Sequence, residues 1–162
     1  MIIVILGAFH FIHCPALILF PCMTSHRSAD IFYLLYFFEL MYIYTFIHGE
    51  CPISYVAKLT IDPNYIAGSN VTHYPEMATI FREPKYTALY FGTMTGIYLV
   101  SLCVVVYRAN VPLYFVTVPA GTLSAYFWYI RQGNHKGYGY ITVQKVARIS
   151  ILFSMKGLIG LL

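Results

Sequence analysis

The sequence predicts an all-α, polytopic membrane protein. Of the 162 residues, 59% are hydrophobic. Only 10% are Asp, Glu, Lys or Arg, against about 25% in an ordinary soluble domain. The apolar residues also gather into runs that approach the ~20 residues a helix needs to cross a bilayer. The layout is one membrane-embedded bundle over residues 1–162. It has four transmembrane helices near 2–23, 31–48, 87–107 and 111–130, and a C-terminal interfacial amphipathic helix over 141–162. This excludes a typical soluble enzyme, a long disordered segment and a large extramembrane domain.

Ile2 to Met23 carries no formal charge and reads as the first span. Pro15 and Pro21 within it predict a kink or an early end. The run is too long for a signal-peptide core and has no Lys or Arg before it. Thr24 to Asp30 reads as a polar turn, and Ile31 to His48 as the second span, with Glu39 at its middle. The connection from His48 to Tyr86 is the longest. Its Asp62-Pro63-Asn64-Tyr65 and Ala67-Gly68-Ser69-Asn70 stretches are turn chemistry. A short helix fits Ile53 to Ile61, with Ser54 as its cap. Thr87 to Tyr107 is the third span, Arg108-Ala109-Asn110 a tight turn, and Val111 to Ile130 the fourth span.

Over Ile141 to Leu162, Lys145, Arg148 and Lys156 fall within about 80° of a helical wheel. One basic face on an apolar helix is the pattern of a segment lying at the membrane surface, with a fifth span as the rival reading. The net charge is +4, which suits an anionic lipid surface rather than nucleic acid. With four spans, Lys58, Arg82, Lys85, Arg131, Lys136, Lys145, Arg148 and Lys156 share one side, against Arg27 and Arg108. The positive-inside rule then places both termini in the cytosol. Asn70-Val71-Thr72 is a glycosylation sequon that would be silent on that side.

The four Cys residues, Cys14, Cys22, Cys51 and Cys103, form no CxxC pair and no disulfide framework. They read as small apolar residues. The 16 Tyr and 12 Phe suggest tightly packed helix contacts.

An acid inside a span costs about 2.5 kcal/mol or more on insertion scales, so Glu39 should face other helices or water. His10 and His13 share a face of the first span. Counting about 1.5 Å per residue from the turn puts His13 and Glu39 within about 3 Å in depth. Glu39, His13 and His10 are therefore the candidate reactive group. A structural hydrogen bond is the plainest reading of them. A proton carrier, a general acid/base and a metal site are the alternatives, the last lacking a third or fourth ligand. No metal site or cofactor is expected. His48, Glu50, Cys51 and His73 read as an interfacial polar segment, and Glu76 and Glu83 as solvated. Ala88, Gly92 and Gly96, with Gly121 and Ala125, are small residues at helical spacing that let backbones approach. The tight turn predicts that they join the third span to the fourth, with a contact to another chain as the rival reading.

His10 and His13 in the first run, Glu39 in the second and Cys51-Pro52-Ile53-Ser54 beyond it resemble a family of small membrane proteins of unknown function. In that family a Cys-Pro-Leu-Thr follows the second helix. The likeness spans roughly residues 10 to 60, with a longer acid-to-Cys spacing here, and implies no activity. The functional expectation from the residues is a structural or assembly subunit of a larger membrane complex or of a viral internal membrane. Its partners would be the lipid bilayer and other membrane subunits or a second copy. A membrane enzyme or proton-coupled carrier using Glu39, His13 and His10 is the alternative. A lipid-binding tail is a third.

Overall fold

The computed structural model describes residues 1–132 and 137–162. Among these the regular elements are all helical: α1 (Ile2–Met23), α2 (Arg27–Phe46), a short α3 (Pro52–Ile61), a 3-10 turn (Met77–Thr79), α4 (Pro84–Arg108), α5 (Tyr114–Arg131) and α6 (Tyr138–Ile159). α1, α2 and α4 are long and apolar enough to cross a membrane. α5, the fourth predicted span, is a helix of 18 residues, but its Tyr, Thr, Ser and Arg residues leave it less apolar than those three.

Several boundaries move for local reasons. α2 begins at Arg27 rather than Ile31, with Asp30 in its first turn, where a carboxylate suits the helix dipole. α4 begins at Pro84, whose missing N–H costs nothing at the first helical position. α2 ends where Gly49, at φ 83, donates its N–H to Tyr44 O at 2.8 Å. Only glycine adopts that backbone without strain.

α1 runs unbroken through Pro15 and Pro21. A proline deprives the carbonyl four residues earlier of its partner. For Pro15 that is Phe11 O, and the Tyr90 hydroxyl donates to it at 2.6 Å. A donor from α4 thus replaces the bond that would otherwise be lost.

α6 departs most from expectation. Tyr140, Gln144, Ala147, Ile151, Ser154 and Leu158 are buried and recur at alternating steps of four and three, the seam of a packed helix. α6 lies against both α5 and α2, and the Thr122 and Ser150 hydroxyls bond across the α5–α6 seam at 2.7 Å. Its outer face, with Ile149, Leu152 and Phe153, is exposed and apolar. Lys145 and Lys156 are exposed, whereas Arg148 turns inward. Its guanidinium donates to Thr45 O at 2.7 Å and Thr45 Oγ1 at 2.9 Å and lies 3.9 Å over the Phe46 ring. The predicted surface helix is therefore a member of the bundle. Its seam mixes Gln144, Ala147 and Ser154 with Tyr140, Ile151 and Leu158, so a count of apolar residues does not single it out.

The predicted seam of small residues between α4 and α5 is not formed. α4 packs on α1 and α2, and α5 on α6. Ala88, Gly92, Gly96, Gly121 and Ala125 are all exposed, with no neighbour within 4 Å of a Cβ built at any of the three glycines. Arg108 explains the divergence. It pairs with buried Asp30, with Nε 2.7 Å from Oδ2, and Nη1 donates to Pro21 O at 2.8 Å. This clamp holds the end of α4 to α1 and α2. The chain then reverses at Asn110, φ 53, and α5 runs alongside α6.

The same end of the bundle holds the C-terminus: Arg27 donates to Leu161 O at 2.9 Å. Met1 lies at the other end, since α1 runs toward the turn before Arg27. Lys136, counted among the inside cations, lies outside the described residues.

Candidate functional site

The connection between α2 and α4 folds back over α1. Its α3 and its 3-10 turn both pack on α1, and the backbone passes so close that a Cβ at Gly7 would fall 2.4 Å from Glu76 O. A buried ion pair braces this segment. Lys58, 4% exposed, lies 3.1 Å from fully buried Glu50 and donates to Asn70 O at 2.5 Å. The Tyr65 hydroxyl also donates to Glu50.

Cys51, not Ser54, occupies the cap position of α3, with Pro52 as the first helical residue. The sulfur thus sits at the positive end of a helix dipole. His10 joins it from α1: its Nε2 lies 3.4 Å from Cys51 Sγ. The other ring nitrogen, Nδ1, donates to Glu76 Oε1 at 2.8 Å. Ser54 Oγ donates to the same carboxylate oxygen at 2.5 Å. His10 is 4% exposed and Glu76 is fully buried. The Phe91 ring lies 4.9 Å from the imidazole, and Tyr44 lines the same cavity as Cys51. Cysteine, imidazole and carboxylate therefore stand in one hydrogen-bonded line.

Electrostatics favours the charged forms outside the spans. Burial opposes a charge on Glu76, but the bonds from His10 and Ser54 outweigh it and hold the carboxyl below its ordinary range. Burial also raises the Cys51 thiol. The bond to His10, the His10 charge, the Tyr44 side chain and the Ser54 backbone amide outweigh that, and the thiol sits below its usual value.

Cys51 and His10 open onto a cavity of about 770 Å³ between α1, α2, α4 and α5. His13 lines it too and bonds through Nε2 to the Tyr36 hydroxyl at 2.7 Å. Glu39 is exposed and is not brought to either histidine. Counting residues fixed its depth but not its direction around α2. Of the candidate group only His10 stands in the hydrogen-bonded line. No group of three or more His, Cys, Asp or Glu side chains suited to a metal occurs among the described residues.

All four cysteines are free. Cys22 and Cys103 are exposed rather than buried. Glu83 pairs with Lys85 at 2.6 Å on the surface, as a solvated residue does. Glu76, also expected in solvent, is instead the acid of the site. It lies 66 residues from His10, and no local pattern joins the two. No protein-family model matches the chain, and no curated protein or solved structure is detectably similar to it.

Proposed function

We propose that this chain is a membrane-embedded thiol enzyme of the acyl-transfer class. The observation that carries this reading is His10 bridging Cys51 and Glu76. Nucleophile, base and orienting acid in that order are recognised by geometry rather than by chain order. Glu76 fixes the tautomer and angle of His10 and stabilises the imidazolium. His10 keeps the Cys51 sulfur as thiolate. The thiolate adds to an ester or thioester carbonyl. The bond to the leaving group breaks, and that group takes its proton from His10. His10 then removes a proton from water, hydroxide adds to the acyl-cysteine, the C–S bond breaks, and a free acid leaves. The N-terminal end of α3, capped by Cys51 itself, favours the negative charge that develops beside the sulfur.

Incubating the purified full-length protein with p-nitrophenyl esters tests this. Intact-mass measurement should find one acyl group, mapped to Cys51 and absent from Cys51→Ala. His10→Ala should acylate at least about a hundredfold more slowly, while Glu39→Gln should match wild type. No adduct on Cys51, or equal adduct in His10→Ala, overturns the reading.

A specific observation favours a second role. The open faces at Gly92, Gly96 and Gly121 are suited to close approach by another helix, the feature of a subunit in a larger membrane assembly. Purification in mild detergent with mass spectrometry of co-eluting proteins tests it. A stoichiometric partner supports assembly, and a solitary chain counts against it.

We also infer that α5 and α6 cross the membrane with the other three long helices. The end bearing Lys58, Arg82, Lys85 and Arg131 then faces the cytosol. Met1 shares that side and Leu162 lies opposite.

A further inference from the structure

We infer that the acyl donor is dissolved in the membrane and that its chain occupies the cavity, entering sideways between α4 and α5. This rests on the acyl-transfer reading of Cys51 and names its substrate class: a medium-chain ester or thioester lipid. The cavity carries its reactive groups at one end. Cys51 and His10 stand there, with Phe91 packed on the imidazole. Ile18 and Leu99 line its other end. Along α1, Ile18 lies about 12 Å beyond His10, and along α4, Leu99 lies about 12 Å beyond Phe91. Two helices thus give one depth, that of a medium-length alkyl chain lying along the bundle axis with its carbonyl at the sulfur. The volume of about 770 Å³ falls within the range that encloses small ligands.

The entrance is set by the packing. α4 and α5 each contribute a wall, Thr95 and Leu99 on one side, Leu123 and Ser124 on the other, yet they pack on different neighbours. The glycines beside those walls, Gly92, Gly96 and Gly121, have open space around them. In a bilayer this is an opening toward lipid tails, and the carbonyl of a lipid arriving tail-first along the cavity reaches Cys51.

The test uses the full-length protein in phosphatidylcholine vesicles, with p-nitrophenyl acetate and p-nitrophenyl decanoate as probes. Acylation of Cys51 is followed by intact mass, and each rate is divided by that of free cysteine with the same ester. Decanoyl transfer should exceed acetyl transfer by about tenfold or more. Thr95→Phe and Ser124→Phe, which fill the cavity from opposite walls, should each cut the decanoyl-to-acetyl ratio by about tenfold. Equal wild-type rates for the two esters, or a ratio that neither variant moves, overturn the cavity assignment while Cys51 remains the nucleophile. Failure of both esters to acylate Cys51 overturns this inference and the acyl-transfer reading together.

Discussion

A thiol is a nucleophile at neutral pH only when its surroundings favour the thiolate. Around Cys51 burial works against the charge, and the bond and charge of His10 work for it and prevail. The reactive form therefore persists below the ~8.5 of an ordinary cysteine. Iodoacetamide labelling of Cys51 should reach half its maximal rate at a pH below that value. Glu76→Gln removes the anion beside His10, so the Cys51 midpoint should move up. A midpoint unmoved by Glu76→Gln would show that the carboxylate does not act through His10. Part of this arrangement was legible in the sequence. His10 was marked by its place in an apolar run, and the Cys51-Pro52 pair by its similarity to a known pattern. Glu76 was not, because burial by a distant helix leaves no trace in the residues around it.

Helix packing here is decided by which glycines are filled and which are open. A Cβ at Gly157 would lie 2.1 Å from Cε1 of buried Phe115. Gly157→Ala should therefore cost about 1–3 kcal/mol, read as a lower Tm in detergent. Gly96→Ala meets no neighbour and should be neutral, or stabilising by up to about 1 kcal/mol through helix propensity. A lower Tm for Gly96→Ala would place a helix against it. The Arg108 clamp belongs to the same scale. Arg108→Met strands the buried Asp30 carboxylate and should cost about 2 kcal/mol, at the modest end because the arginine is 28% exposed. A Tm unchanged in Arg108→Met would make the clamp incidental. The run lengths foretold the five long helices but not their neighbours. A tight turn promises only that two helices meet at one end. The bond from Arg108 to Asp30 then ties α4 to α1 and α2 and leaves α5 to α6.

For the molecule as a whole, the way α6 returns places the chain ends at opposite ends of the bundle. Epitope tags at Met1 and Leu162 on intact vesicles should show opposite protease accessibility. Equal accessibility would return α6 to the membrane surface. The composition made the membrane class plain. The packing of α6 was hidden because Lys145 and Arg148 stand near its middle, and nothing in the residues around Arg148 shows that it turns inward onto Thr45. One consequence of the Gly7 contact concerns synthesis. The ribosome releases His10 and Cys51 well before Glu76, and the carboxylate reaches the imidazole only after its backbone settles against Gly7. On the acyl-transfer proposal, the thiol lacks its full activation until that segment has docked, so the newly made chain would be latent.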